Sequence, residues 1–219
     1  MAIDYTKRTG DGSTGTVLLT KSKPSVSLHK QASGLLRVNL NWNARPAPKG
    51  AAGLLRQWLA PADIDLDLGC LYEFADGTKG VVQALGNSFS ASPSGLRDRV
   101  IWLDGDDRSG SNSAGENLYV DLAHAARIRR MVVFSYIYEG VPNWAAADGV
   151  VTLHPVSGPV IEVRLDEPDD NARMCAVAMI EQSGTGSLTV RREVRYLDGA
   201  QRRLDEEYGW GLRWTAGRK

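Results

Sequence analysis

The sequence has little of several features that mark large classes of protein. Its 219 residues include only two cysteines, Cys70 and Cys175, which lie far apart, each in an apolar run. This pattern predicts buried, reduced side chains, with a disulfide between them as the alternative. No apolar run approaches the roughly 20 residues needed to cross a bilayer, so we expect no transmembrane segment. Residues 1–8 lack the apolar core of a signal peptide, which predicts a cytoplasmic location.

An excess of charge of either sign is also absent. Lys and Arg together number 26, Asp and Glu together number 26, and the formal net charge is zero. Nucleic acids and anionic membranes attract proteins largely through a surplus of positive charge. The balance therefore predicts no nucleic-acid partner.

Common catalytic motifs are missing as well. The sequence has no Gly-x-Gly-x-x-Gly, no P-loop lysine motif, no Cys-x-x-Cys, no His-x-x-x-His and no Gly-x-Ser-x-Gly. The aspartates at 63, 65 and 67 contain the carboxyl pair that glycosidic-bond hydrolysis requires. However, nothing places a carboxyl of raised pKa beside an aromatic platform for a sugar. We therefore predict that the protein is not an enzyme.

Short alternating segments dominate the rest of the chain. Leu36, Val38, Leu40 and Trp42 fall on one face of a half-buried strand. Asp76-Gly77 between two apolar runs predicts a hairpin turn. Many short strands separated by Gly and Pro turns indicate an all-β fold, a two-sheet antiparallel β-sandwich with one or two short helices. The strands are expected at 17–21, 26–30, 36–42, 65–74, 80–85, 100–103, 118–120, 131–138, 150–153, 160–165, 174–180 and 188–196.

The helices and the domain boundaries follow from the segments that break the alternation. Residues 53–59 lie between prolines and predict a short helix on the edge of the sandwich. Residues 122–130 predict another short helix, with Asp121 as its N-cap. Residues 1–16 are polar and glycine-rich and should be loosely ordered. We expect 17–217 to form a single domain.

Two acidic clusters carry most of the functional information. Residues 63–67 place an aspartate at every second position, which puts three carboxylates on one face of a strand, about 6.5–7 Å apart. Residues 103–110 combine aspartates with Gly and Ser and continue to Gly115 and Glu116, which is typical of a loop. Carboxylate and carbonyl oxygens are the ligands of calcium, usually six to eight of them. The clusters together indicate a calcium site.

Electrostatics gives this interpretation weight without deciding it. Two carboxylates about 4 Å apart repel by roughly 1 kcal/mol in water and about 4 kcal/mol at an effective dielectric constant of 20. Either a cation bridges the two clusters, or they stay apart as ordinary solvated turns. The spacing is not that of an EF-hand, because the closing glutamate of the 12-residue loop is missing. Both interpretations remain open on these residues alone.

Several motifs, taken together, resemble a known family. They are IDLDL at 64–68, DLGCLYE at 67–73, VQALGN at 82–87, GDDRSG at 105–110 followed by Glu116, YIYEG at 136–140 and YGWGLRW at 208–214. The set resembles the TerD-domain family of tellurium-resistance and stress proteins, and in particular its TerA-like branch. The resemblance covers roughly residues 17–217.

The resemblance implies a β-sandwich that binds calcium through acidic loops at one end. It also assigns the ligands. They would be Asp65 and Asp67 on the strand, Asp106 and Asp107 in the loop, Gly110 through its backbone carbonyl, Glu116 at the end of the loop, and Glu139 after a later strand.

The chain departs from the family pattern within the loop. Family members often continue with a longer acidic stretch, whereas residues 111–115 here are Ser-Asn-Ser-Ala-Gly. Fewer anionic ligands mean weaker binding or fewer ions. We therefore expect one calcium ion, and the second calcium site of the family is in doubt.

The resemblance also implies a role. It suggests a calcium-dependent adaptor or sensor that binds other proteins of a tellurium-resistance and stress-response complex, with peripheral membrane association only through that complex. Two alternatives remain. One is a metabolite-binding protein or an enzyme acting on a small anionic molecule, and the other is a structural sandwich whose acidic end binds nothing.

Overall fold

Two β-sheets contain most of the residues described in the computed structural model, which are 15–28, 33–43, 64–104, 115–140, 143–169, 171–184 and 186–215. The strands are β1 (Thr16–Leu18), β2 (Ser25–Leu28), β3 (Leu35–Asn41), β4 (Asp65–Phe74), β5 (Lys79–Val82), β6 (Ser90–Ala91), β7 (Ile101–Leu103), β8 (Glu116–Asp121), β9 (Ile128–Glu139), β10 (Gly149–His154), β11 (Val160–Leu165), β12 (Met174–Gln182) and β13 (Leu188–Leu197).

The strands form a sandwich. The first sheet has the order β1-β11-β10-β3-β8-β7-β6, and the second has the order β2-β13-β12-β9-β4-β5. Within the described residues the pairings are antiparallel, except that β1 runs parallel to β11. The predicted all-β sandwich is confirmed. Each predicted strand is present with ends shifted by a few residues, and β6 is an addition.

The inward faces of the two sheets meet in one apolar core. Leu36, Val38 and Leu40 of β3 are fully buried in it, as the alternation predicted, and so are Leu66 and Leu68 of β4 in the opposite sheet. Inward-facing residues alternate with outward-facing ones along each strand. Because the leucines of β4 point inward, Asp65 and Asp67 lie on the outer face of the second sheet.

The two cysteines are buried and free. Cys70 on β4 lies opposite Val133 of β9, and Cys175 on β12 lies opposite Ser135 of the same strand. The two strands that carry them are therefore about 9.6 Å apart, beyond the roughly 7 Å that a disulfide tolerates between Cα atoms. Burial raises the pKa of both thiols. The prediction of reduced, buried cysteines is confirmed.

The helices in the described part of the chain are short. A 3-10 helix spans Leu122–Arg127, and Asp121 caps it by accepting a hydrogen bond from the Ala123 N–H, as predicted. Two further helices were not predicted, α1 (Trp144–Ala147) and α2 (Gln201–Tyr208). None of the helices in the described ranges has the length and apolarity to cross a membrane. The helix predicted at 53–59 lies outside the described residues, and the domain boundaries stay predictions.

The chain from α2 to residue 215 covers part of the outer face of the second sheet. Leu204 and Trp210 are fully buried there in a second apolar cluster. The Asp205 carboxylate fixes this segment, since it accepts hydrogen bonds from the Gly211 N–H (2.6 Å), the Leu212 N–H (2.8 Å) and the Trp214 indole N–H (2.6 Å). One buried carboxylate thus closes the turn that follows the helix.

Trp210 connects this covering segment to the sheet beneath it. Its indole N–H donates to the Tyr72 carbonyl at 2.9 Å, and the Arg130 guanidinium lies 3.9 Å from its ring centroid. Arg130 also donates to Glu73 at 2.7 Å, and Arg129 donates to the same carboxylate at 2.9 Å. Burial alone would raise the pKa of Glu73, but the hydrogen bond and charge of Arg130, with the charge of Arg129, lower it overall.

We predict that Glu73→Gln lowers the free energy of unfolding by about 1–3 kcal/mol at pH 7, the usual range for hydrogen bonds to charged groups. The pKa of Glu73 is lower in the folded state, so its contribution is present above the unfolded pKa of about 4.3 and is lost as the pH falls through the folded value. Urea unfolding at pH 7 and pH 3 should therefore show a difference that shrinks in acid. Glu206→Gln, an exposed control on α2, should change stability by less than about 0.5 kcal/mol at either pH.

Candidate metal centre

The first residues of β4 carry two buried carboxylates. Asp65 and Asp67 are 7% and 5% exposed and occupy alternate positions of the strand. The spacing of a β-strand places their Cα atoms about 6.5–7 Å apart on the same face. Burying ionised carboxylates costs free energy unless cations or hydrogen bonds compensate. The sequence correctly predicted their common face, and the structure adds that both are buried.

A third carboxylate faces them from the neighbouring strand. Asp65 lies opposite Glu139 of β9, and Asp67 lies opposite Tyr136, with an irregularity in the pairing just after Asp65. Side chains that oppose each other directly on antiparallel strands have Cβ atoms about 4.5–5.5 Å apart, and like charges in this arrangement are destabilising. Glu139 is exposed whereas Asp65 is buried. The register thus makes two acidic residues backbone partners at this end of the second sheet.

Glu116 reaches the same strand from the other sheet. It is the first residue of β8, it is 2% exposed, and its Oε2 atom accepts a hydrogen bond of 2.6 Å from the Leu68 N–H. β5 pairs with β4 only from Cys70 to Glu73, so Leu68 lies beyond the end of that pairing. The Glu116 carboxylate therefore takes a backbone donor that β5 does not reach, and it joins the two sheets at the acidic end.

Both ends of the segment 105–114 are fixed on adjacent strands. Before it, the Asp104 N–H donates to the Asn117 carbonyl at 3.1 Å, and the Asp104 carboxylate accepts from the Asn117 amide at 3.0 Å. Asn117 in turn accepts from the Asn39 amide at 3.0 Å. After it, Gly115 has φ +64°, and a Cβ atom at this position would overlap the Leu40 carbonyl oxygen. The predicted loop therefore starts and ends beside Glu116.

The structure describes part of the predicted ligand set. Asp65, Asp67 and Glu139 lie on paired strands, and Glu116 bonds to the strand that carries the two aspartates. Asp106, Asp107 and Gly110 lie outside the described residues, as does Asp63, and their roles stay predictions. Within the described ranges, no three His, Cys, Asp or Glu side chains form a group that could hold a metal ion. A complete site would need oxygens from 105–114.

Asn39 and Asn117 are buried residues that the sequence analysis missed. They oppose each other in the pairing of β3 with β8, and their hydrogen bonds continue to Asp104. In the sequence, each asparagine occupies an outward-facing position of its strand, β3 or β8. Such a position by itself predicts an exposed polar residue. Only the register shows that the two amides meet and support the end of the loop.

We predict that Gly115→Ala destabilises the protein by more than strain at positive φ alone, because the added methyl group also overlaps the Leu40 carbonyl. Strain of this kind costs about 1–2 kcal/mol, and the overlap should add about 1–3 kcal/mol. Gly209→Ala is a matched control, since Gly209 has φ +62° with no neighbouring atom within 4 Å of the new methyl. Equal losses of urea-unfolding free energy in the two variants would contradict the predicted overlap.

Comparison with known proteins gives one strong relative in sequence. The chain is 43% identical over 205 residues to a tellurium resistance protein TerA from an Alcaligenes species, a match that covers 93% of this chain. The chain spans 58% of the length of that curated relative. No protein-family model matches the chain.

Two solved structures share the fold. One is a protein of unknown function, 17% identical, with a TM-score of 0.51 over 77% of this chain and 92% of that one. The other is a homologue of telluride resistance protein (TerD) from Streptomyces coelicolor A3(2), 20% identical, with a TM-score of 0.51 over 75% of this chain and 90% of that one. At these identities the likeness concerns the fold alone.

Proposed function

We propose that this chain is a calcium-binding protein of a tellurium-resistance system. Its similarity to a tellurium resistance protein TerA, at 43% identity over 93% of the chain, supports the proposal. We propose that the chain acts as a calcium-dependent adaptor or sensor for other proteins of that system. The observation that carries the proposal is the placement of Asp65 opposite Glu139, with Asp67 two residues along β4 and Glu116 bonded to Leu68.

The fit to calcium follows from the chemistry of these side chains. They offer hard oxygen ligands and no thiolate or imidazole, which suits calcium better than zinc or copper. The proposed ligands are Asp65, Asp67, Glu116 and Glu139, joined by Asp106 and Asp107 and by the carbonyl of Gly110 from the loop. An ionised carboxylate has about four acceptor positions, so Glu116 can hold the Leu68 N–H and also contact an ion. A bound cation would offset the repulsion between the opposed carboxylates.

The proposed role of the ion is to order the segment between Asp104 and Glu116. Its two ends are anchored by Asn117 and Gly115, so an ion bound between the loop and β4 would restrict the residues in between. Ordering before a partner arrives lowers the entropy cost of its binding. The coupling is reciprocal, so the partner should tighten calcium binding by the same factor. We propose a cytoplasmic location, with membrane association only through the complex.

Calcium should raise the melting temperature. A ligand at 100 times its dissociation constant adds about 2.7 kcal/mol to the native state, which corresponds to roughly 5–10 °C for a chain of this size. Asp67→Asn and Asp106→Asn should each reduce the shift, because each removes a proposed anionic ligand. Thermal unfolding with millimolar calcium and with a chelator measures the effect.

Asp198→Asn provides the control for these variants, since Asp198 is an exposed aspartate in the turn before α2 and should leave the calcium shift unchanged. Magnesium at the same concentration should give a smaller shift. Titration calorimetry should find one tightly bound calcium ion per chain. An unchanged melting temperature of the wild-type chain at millimolar calcium would exclude the site, and two ions of similar affinity would contradict the single-ion expectation.

The adaptor role makes a separate prediction for the loop. Amide hydrogen exchange across residues 104–116 should slow when calcium binds, while exchange in β12 stays the same. Capture of partner proteins should weaken on chelation and in Asp67→Asn. Equal exchange rates with and without calcium would remove the ordering mechanism. If chelation leaves partner capture unchanged, the adaptor role is wrong. Calcium-dependent turnover of a small anion would favour the enzymatic alternative.

A further inference from the structure

A line of aromatic and cationic side chains crosses the outer face of the first sheet. Trp102 of β7 lies opposite Tyr119 of β8, Tyr119 lies opposite Arg37 of β3, and Arg37 lies opposite His154 of β10. The residues on either side of Trp102, Tyr119 and Arg37, such as Leu36 and Val38, belong to the core, as does Leu153 before His154. Four strands at about 4.8 Å spacing give a line roughly 14 Å long. With Arg99, these residues form what we call the cationic-aromatic row.

The centre of the row is ordered by contacts between its own side chains. The rings of Trp102 and Tyr119 stack with centroids 5.4 Å apart and an interplanar angle of 19°. The Arg99 guanidinium lies 4.5 Å from the Trp102 ring centroid. Both rings are half-buried and Arg99 is exposed. Side chains that already hold their bound conformation lose less entropy when a partner binds, which favours recognition.

The two arginines of the row differ from most others in the sandwich. On the second sheet, Arg130, Arg191 and Arg192 form ion pairs with glutamates, and Arg164 on the first sheet pairs with Glu162. Among the residues that the structure describes, Arg37 and Arg99 form no ion pair. The Asp104 carboxylate accepts a hydrogen bond from the Asn117 amide at 3.0 Å and one of 3.5 Å from the Tyr119 hydroxyl of the row. Within the described part of the chain, neither guanidinium group of the row therefore lies within ion-pair distance of a carboxylate.

We propose that the cationic-aromatic row docks an acidic, extended segment of a partner protein. Its carboxylates would pair with Arg37 and Arg99, which flank the stacked rings, and an apolar or aromatic residue between them would rest on Trp102 and Tyr119. Trp, Tyr and Arg are the side chains that dominate binding energy at protein interfaces. The row contains no lysine and the chain has no net positive charge, whereas nucleic-acid binding depends on many phosphate contacts. A protein partner is therefore the better match.

The row uses none of the proposed calcium ligands. Its residues lie on the outer face of the first sheet, whereas Asp65, Asp67 and Glu139 lie on the second. Glu116 begins β8 of the first sheet, but its carboxylate bonds to the Leu68 N–H of the second sheet. Docking at the row should consequently persist when calcium is chelated. Binding in the presence of a chelator therefore distinguishes a failure of the calcium proposal from a failure of the docking proposal.

The test uses a short fluorescein-labelled peptide that alternates glutamate with leucine, and the same peptide with glutamine in place of glutamate. Fluorescence anisotropy with the intact chain should show binding of the acidic peptide, and binding of the glutamine peptide at least about tenfold weaker. Arg37→Gln and Arg99→Gln should each weaken binding of the acidic peptide by about tenfold, the loss expected for one charge-assisted contact. Arg164→Gln is the matched control and should leave the affinity unchanged.

Thermal unfolding of each variant checks whether the substitution leaves the fold intact. Arg37→Lys should recover part of the affinity for the acidic peptide, because it keeps the charge. The proposal is overturned by undetectable binding of the acidic peptide, by equal binding of the two peptides, or by equal losses in Arg37→Gln and Arg164→Gln. It is also overturned if single-stranded oligothymidylate binds more tightly than the acidic peptide and depends on Arg37 and Arg99, since the row would then be a nucleic-acid surface.

Discussion

One hydrogen bond determines how the acidic end of this sandwich is put together. The Glu116 carboxylate accepts the Leu68 N–H across the gap between the sheets, at a point of β4 that β5 does not reach. This bond holds the strand with Asp65 and Asp67 beside the strand on which the loop ends. It is a hydrogen bond between the two sheets in addition to the packing of Leu66 and Leu68 of β4 in the core that they share with Leu118 of β8. The charge on Glu116 therefore has a structural use as well as its proposed use as a ligand.

The two outer faces of the sandwich differ in the contacts that their arginines make. On the second sheet, Glu73 binds Arg129 and Arg130, and the chain after α2 packs over the strands. Arg130 links the covering segment to the sheet, because it bonds to Glu73 and lies over the ring of Trp210. On the first sheet, Arg37 and Arg99 flank two stacked rings without a carboxylate partner among the described residues. The second sheet is thus partly covered by the chain itself, whereas the first sheet carries the row that we propose as a docking surface.

The sequence predicted those parts of the structure that depend on local pattern. Alternation identified the inward face of β3 and the common face of Asp65 and Asp67, and a short-range cap signal identified Asp121. It did not predict α2, whose only buried apolar residue is Leu204, so the helix shows almost no apolar periodicity. Asp205 accepts hydrogen bonds from residues 211–214, which reach it only because the chain turns back after the helix. The Asn39–Asn117 pair and the reach of Glu116 depend on register between strands distant in sequence, which local patterns do not encode.

The position of the cysteines has a consequence for redox chemistry. Cys70 and Cys175 lie within the second sheet on either side of β9, and burial holds their pKa far above neutrality. The thiolate is the form that reacts with oxidants and alkylating reagents, and those reagents need access to the sulfur atom. The folded chain offers neither. These thiols can be modified only after the strands around β9 separate. The rate of thiol labelling would therefore report how often the second sheet opens.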